Sequence, residues 1–114
     1  THFIGAAEWY RYCLTGQKWE EVVAIGSHEI LKSQAIHLGN LDSVLINQAS
    51  LPDENVSYVD ESGPKTVLRS LILAQTVSHT AEHKGQIAAI LKMYGHHLDL
   101  DKYDVWSYNS ASHP

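Results

Sequence analysis

His79 and His83 stand four residues apart in a stretch with helical periodicity. At that spacing two side chains leave one face of a helix with their Cβ atoms about 5–6 Å apart. Two imidazoles so placed can converge on one divalent ion, with metal–nitrogen bonds of about 2.0–2.1 Å if the ion is zinc. The stripe that carries them runs Leu68, Ile72, Gln75, His79, His83, Gln86, Ile90 and Met93. It is apolar at both ends and polar in the middle. Burying an unpaired imidazole or amide costs about 1–3 kcal/mol. Four consecutive polar positions on an inward stripe therefore point to a shared partner. A third ligand must come from another helix. His2 suits the role best, because it shares a face with Ala6, Trp9 and Cys13, and the small Ala6 permits close approach. Three neutral imidazoles would leave coordination positions open to water or substrate, as a catalytic site requires and a closed structural site does not.

The other histidines offer no second spaced pair. His28 and His37 read as ordinary helix residues, His96 and His97 follow a helix end, and His113 is in the tail. Cys13 reads as a small buried hydrophobe. Trp9, Trp19 and Trp106 read as core or interface anchors, with substrate stacking the lesser alternative. The segment His79-Thr80-Ala81-Glu82-His83 also matches the inverted zinc-protease pattern, in which Glu82 would act as a general base. That reading needs a downstream acidic ligand and a substrate-cradling domain. The residues that follow His83 are too few to build one. Glu82 and Gln86 remain candidates to orient a bound water or a ligand imidazole.

These side chains must be positioned by helices. Residues 2 to about 14 read as a helix ended by Thr15-Gly16, with Phe3, Ala7, Tyr10 and Leu14 forming a second apolar stripe. Residues 17–26 read as a short amphipathic helix around Trp19, Val22 and Val23. Ser27 is placed to cap a helix from about 28 to 49. Its apolar face includes Ile30, Leu31, Leu38, Leu41 and Leu45, and Gly39 weakens its middle. Residues 50–64 read as a connection with turn chemistry at Leu51-Pro52-Asp53-Glu54-Asn55 and a short extended stretch around Val56, Tyr58 and Val59. Pro64 suits the first turn of a long helix running to about 94, and Gly95 suits its C-terminal stop. Tyr103, Val105, Trp106 and Tyr108 are expected to fold back on the body. The expected architecture is all-α, with three substantial helices in a bundle. Thr1-His2-Phe3-Ile4 opens in mid-element, so a further N-terminal helix is expected to complete a four-helix bundle.

Composition narrows the function classes. The chain has 114 residues, enough for one ordinary domain. Its 13 acidic and 8 basic residues give a formal charge of −5, and the scattered cations argue against phosphate-backbone contact and nucleic-acid binding. A single cysteine excludes an internal disulfide framework and suits a reducing, cytoplasmic setting. No apolar run approaches the length of a membrane span, and no signal-peptide pattern is visible.

The run Val77-Ser78-His79-Thr80-Ala81-Glu82-His83-Lys84-Gly85-Gln86-Ile87 resembles the signature of the DinB/YfiT-like superfamily, typically His-x-x-x-His-Arg-Gly-Gln-Ile. The opening His2-Phe3-Ile4-Gly5-Ala6-Ala7-Glu8-Trp9-Tyr10 resembles that family's second bundle helix. The tail Leu100-Asp101-Lys102-Tyr103-Asp104-Val105-Trp106-Ser107-Tyr108 resembles its ending. The resemblance implies a four-helix bundle whose first helix is missing from this chain. It also implies a divalent metal (nickel, zinc, iron or manganese) held by His2, His79 and His83, and frequent homodimers. Some members are thiol-dependent transferases or isomerases that use mycothiol, bacillithiol or glutathione. Lys84 stands where the family has Arg, and Lys cannot form a planar bidentate fork. The function expected on these grounds is a metal-dependent hydrolase or transferase acting with a low-molecular-weight thiol or metal-activated water. The alternative is a non-catalytic, stress-associated bundle that binds metal or dimerises.

Overall fold

The computed structural model describes residues 2–20 and 24–103. The element order is α1 (His2–Thr15), α2 (His28–Gln48), β1 (Asn55–Asp60), β2 (Gly63–Leu68) and α3 (Arg69–Met93), followed by a 3-10 turn over Leu100–Tyr103. The expected all-α four-helix bundle is therefore corrected. Among the described residues there are three α-helices and one two-stranded antiparallel sheet, a mixed α/β arrangement.

The sheet forms because residues 55–68 alternate. Val56 and Tyr58 on β1, and Lys65 and Val67 on β2, turn to the protected side, with exposed residues between them. The register sets Val56 opposite Val67 and Tyr58 opposite Lys65. A period of two buries one face of a strand and is incompatible with a helix. Pro64, expected in the first turn of a helix, instead lies in β2 opposite Val59. A two-stranded sheet has only edge strands, which tolerate a residue without an N–H. The reversal needs Gly63, whose φ of +111° few L-residues adopt. Asp60 Oδ1 holds the turn by accepting from the Ser62 backbone N–H and the Ser62 hydroxyl, both at 2.8 Å.

The helix ends agree with the capping chemistry. Gly16 closes α1 at φ +72°, and its N–H donates to the Tyr12 carbonyl at 2.8 Å. Ser27 caps α2 by accepting from the Ile30 N–H at 3.2 Å, and Gly39 lies within an unbroken helix. Residues 17–20 and 24–26 form no helix, so the expected short helix over 17–26 is absent there, and Val22 and Val23 lie outside the described residues. The long helix starts at Arg69, not near residue 64. Its start is capped from a distant segment: Asp53 Oδ1 accepts from the Ser70 N–H at 2.9 Å and Oδ2 from the Ser70 hydroxyl at 2.7 Å.

By compactness the chain divides into two units, Thr1–Thr80 and Ala81–Pro114, with the boundary inside α3. The first unit holds two apolar clusters. Cys13, Leu14, Leu45 and Ile72 are buried together, with Trp9, Tyr10, Tyr12, Val56, Tyr58, Val67 and Leu73 against them. Ile4, Ala7 and Leu41 form the other, beside Leu38. Tyr12 ties α1 to the hairpin, its hydroxyl 3.4 Å from the Val59 carbonyl and 3.3 Å from the Val59 N–H.

The second unit contains the C-terminal part of α3 and the 3-10 turn. Gly95 at φ +82° ends the helix as expected. Its N–H donates to the Lys92 carbonyl at 3.0 Å, and the His96 N–H donates to the Leu91 carbonyl at 2.8 Å, the paired bonds of a Schellman stop. Of the stripe expected to face inward only Ile72 is buried; His79 and His83 are half-buried, Gln75 and Gln86 are exposed, and Leu68 is 40%, Ile90 55% and Met93 83% exposed. Val105, Trp106 and Tyr108, expected to fold back, lie outside the described residues. No helix among the described residues is long and apolar enough to cross a membrane.

Candidate functional site

His2 opens α1 and His79 lies beyond the midpoint of α3 inside the first unit. The sequence separates them by most of the chain, and the fold brings their rings to a centroid separation of 5.4 Å at an interplanar angle of 69°. Tyr10, two turns along α1 from His2, sets its ring 5.9 Å from that of His79. His2 is exposed and His79 half-buried. The pair is therefore open to solvent on one side and supported by an aromatic on the other.

The separation fits two imidazoles on one tetrahedral ion. With metal–nitrogen bonds of about 2.0–2.1 Å, two such rings have centroids about 5.2 Å apart. Square or octahedral angles bring the rings closer, to about 4.5 Å. The donor set is neutral nitrogen, which suits zinc, nickel, copper or iron better than calcium or magnesium.

His83 belongs to the second unit and follows His79 by one turn on the same helix. A helix repeat sends the two side chains from one face. His83 Nδ1 lies 2.7 Å from Gln86 Oε1. Gln86 Oε1 can only accept, so His83 Nδ1 is the donor in this contact. A positioning bond of this kind commonly orients a ligand imidazole. Glu82, the other candidate, lies on the exposed side of α3.

A small cavity of about 10 Å³ borders His79 and is lined also by Phe3, Tyr10, Leu38, Asp42 and Thr76. It has room for about one water. Burial raises the Asp42 carboxyl above its ordinary range. In the sequence Asp42 is a lone acid within a helix, a position with no spacing signal.

A second cluster joins α1 and α2. Glu8, Glu20 and His37 bring potential ligand atoms within 4.8 Å of one another. Glu8 is only 2% exposed. Its Oε1 lies 2.6 Å from His37 Nε2, and its Oε2 accepts from Arg11 Nη2 at 2.5 Å. The guanidinium already neutralises Glu8 and would repel an added cation, so this cluster is a closed charge network. His37, read as an ordinary helix residue, is part of it. The signal was present: Ile4, Glu8 and Arg11 follow the 4, 3 spacing of a buried stripe, and the last two are an i, i+3 ion pair.

Compared with protein-family models, curated proteins and solved structures, the chain matches none.

Proposed function

We propose that this chain binds a divalent metal through His2, His79 and His83 and is a DinB-like, metal-dependent enzyme of the thiol-transfer or hydrolytic type. The observation that carries the reading is the 5.4 Å separation of the His2 and His79 rings, which fits a shared tetrahedral ion. His83 joins the proposal through the helix repeat and through its bond to Gln86. When bound, a divalent ion lowers the pKa of a coordinated thiol or water and so supplies a nucleophile near neutral pH.

The chain's own residues have defined tasks in this scheme. Gln86 orients the His83 ring. Tyr10 packs against the His79 ring in a T-shaped contact. Glu82 is exposed and free of the buried network, so it can take a proton from an incoming group. The thiol, a small molecule such as glutathione, mycothiol or bacillithiol, enters from the exposed His2 side. The proposed setting is the cytoplasm.

Elemental analysis of the purified protein tests the metal. The expected result is about one divalent ion per chain in the wild type and loss of it in His79→Ala. An ion-free wild type, with His79→Ala unchanged in stability, removes the basis of the reading. A screen of low-molecular-weight thiols against electrophiles then tests catalysis, and equal rates for wild type and His83→Ala favour the non-catalytic alternative.

That alternative, a metal-binding or dimerising module without turnover, draws on a separate observation. Ile87, Ile90 and Met93 are exposed at spacings of three along α3. An apolar strip of this kind suits association, and a homodimer is its natural outcome. Light scattering during size exclusion, on wild type and on Ile90→Glu, distinguishes a dimer from a monomer.

A further inference from the structure

A cavity of about 740 Å³ in the first unit is lined by Trp9, Trp19, Val59, Asp60, Glu61 and Ser62. It shares no residue with the proposed metal ligands. Its composition is unusual: two indoles and two carboxylates share one lining. The Trp9 and Trp19 rings stand 5.7 Å apart at 62°, so they form adjacent walls of a corner rather than a closed stack. Tyr12 braces both from behind, at 5.3 Å from Trp9 and 5.0 Å from Trp19, and its hydroxyl is tied to Val59. Tyr58 abuts Trp9 edge-on at 5.9 Å. The corner is therefore rigid on its Trp9 side. Trp19, 47% exposed, presents its outer surface to solvent.

The acidic part of the lining comes from the hairpin turn. The hydrogen bonds from Ser62 hold the Asp60 carboxyl below its usual range, so it is ionised at neutral pH. Glu61 beside it is exposed. Lys65 is the nearby cation that partly offsets Asp60. An anion would meet two carboxylates and the negative faces of two indoles, so the site excludes it. A neutral apolar guest would gain from the indoles and draw nothing from the carboxylates. A primary ammonium would turn its three N–H donors to the carboxylates and leave the indole faces unused. A quaternary ammonium has no N–H to satisfy. It gains from aromatic faces by cation–π attraction and from nearby carboxylates by Coulomb attraction.

We infer that the Trp9–Trp19 corner, with Asp60 and Glu61 in the same lining, binds a quaternary ammonium group such as that of choline. The guest's methyl groups lie against the indoles and its charge faces the hairpin turn. Trp19 is the adjustable wall, and Trp9 the fixed one.

The test is a titration of the wild-type chain with choline and with tetramethylammonium, read by tryptophan fluorescence and by calorimetry. The control is 3,3-dimethylbutan-1-ol, which has the shape of choline without its charge. The expected result is saturable binding of both cations, with the alcohol weaker by about tenfold. Trp19→Leu is expected to weaken choline binding by about tenfold, and Glu61→Gln by a few-fold. The comparison of choline with the alcohol needs no variant, and Glu61 is exposed enough that its substitution leaves folding intact. Equal affinity for choline and the alcohol, unchanged binding by Trp19→Leu, or no saturation by either cation overturns the inference.

Discussion

His37 Nε2 lies 2.6 Å from Glu8 Oε1, and this contact joins the middle of α2 to the middle of α1. Glu8 is almost fully buried and uses its other oxygen for Arg11. The two helices thus share a charge network beside the apolar cluster of Ile4, Ala7 and Leu41. Burial of such a network is tolerated only while each member is matched.

Removing Glu8 leaves Arg11 and His37 without their acceptor. Glu8→Ala is expected to lower stability by about 3–5 kcal/mol in urea denaturation, the usual cost of breaking a buried pair from one side. The double substitution Glu8→Leu with Arg11→Met is expected to recover most of that loss, because both charges then leave together. A double variant no better than Glu8→Ala contradicts this account.

Leu41 is 1% exposed and is seated between Ile4 and Ala7 of α1. Leu41→Ala is expected to cost about 3 kcal/mol, from lost burial and the cavity left behind. Ile46, on the same helix but 70% exposed, is the control, with Ile46→Ala expected to change stability by about 0.5 kcal/mol at most. Denaturant midpoints of the two variants make the comparison.

Burial pushes the Cys13 thiol up to about 11 from an ordinary 9.0. The folded state therefore favours the neutral thiol. Its contribution is fully present below pH 9.0 and is lost as pH rises toward about 11, because the unfolded thiol ionises first. Cys13→Ala is expected to flatten that alkaline decline in thermal melts. Native protein is also expected to react slowly with iodoacetamide at neutral pH, and quickly once unfolded.

Asp53 and Asp60 shift the other way. Hydrogen bonds from Ser70 lower Asp53, and hydrogen bonds from Ser62 lower Asp60. A depressed carboxyl contributes stability above its unfolded pKa and loses it as pH falls through the folded value. Asp53→Asn is expected to reduce the acid-side slope of stability, measured by melting temperature across the acid range. The same substitution is expected to loosen the start of α3, seen as faster amide exchange at Ser70.

Metal occupancy carries its own pH signature. Imidazole must be neutral to coordinate, so bound metal is expected to fall as pH drops below about 6.5. Elemental analysis after dialysis at stepped pH checks this. Occupancy unchanged down to about pH 4 argues against histidine ligation.

Local chemistry was readable where the cause was local. Ser27, Gly16 and Gly95 act within one turn of chain, and α1, α2 and the end of α3 follow from them. The hairpin was not readable in the same way. Val56, Tyr58, Lys65 and Val67 alternate, yet Ser62-Gly63-Pro64 also resembles a helix start. Only pairing across the turn, with Val56 opposite Val67, decides between the two. The same holds for Trp9 and Trp19, whose separate positions look like anchors until the hairpin closes a cavity beside them.

The amino-acid sequence by itself determined the helix limits set by caps and glycines, the one-turn spacing of His79 and His83, and the acidic net charge, because each depends on residues close in the chain or on composition alone. The tertiary structure alone decided that residues 55–68 form a sheet, that Glu8 meets His37, and that His2 approaches His79. Those are contacts between distant segments, and their energies exist only once the intervening chain has folded.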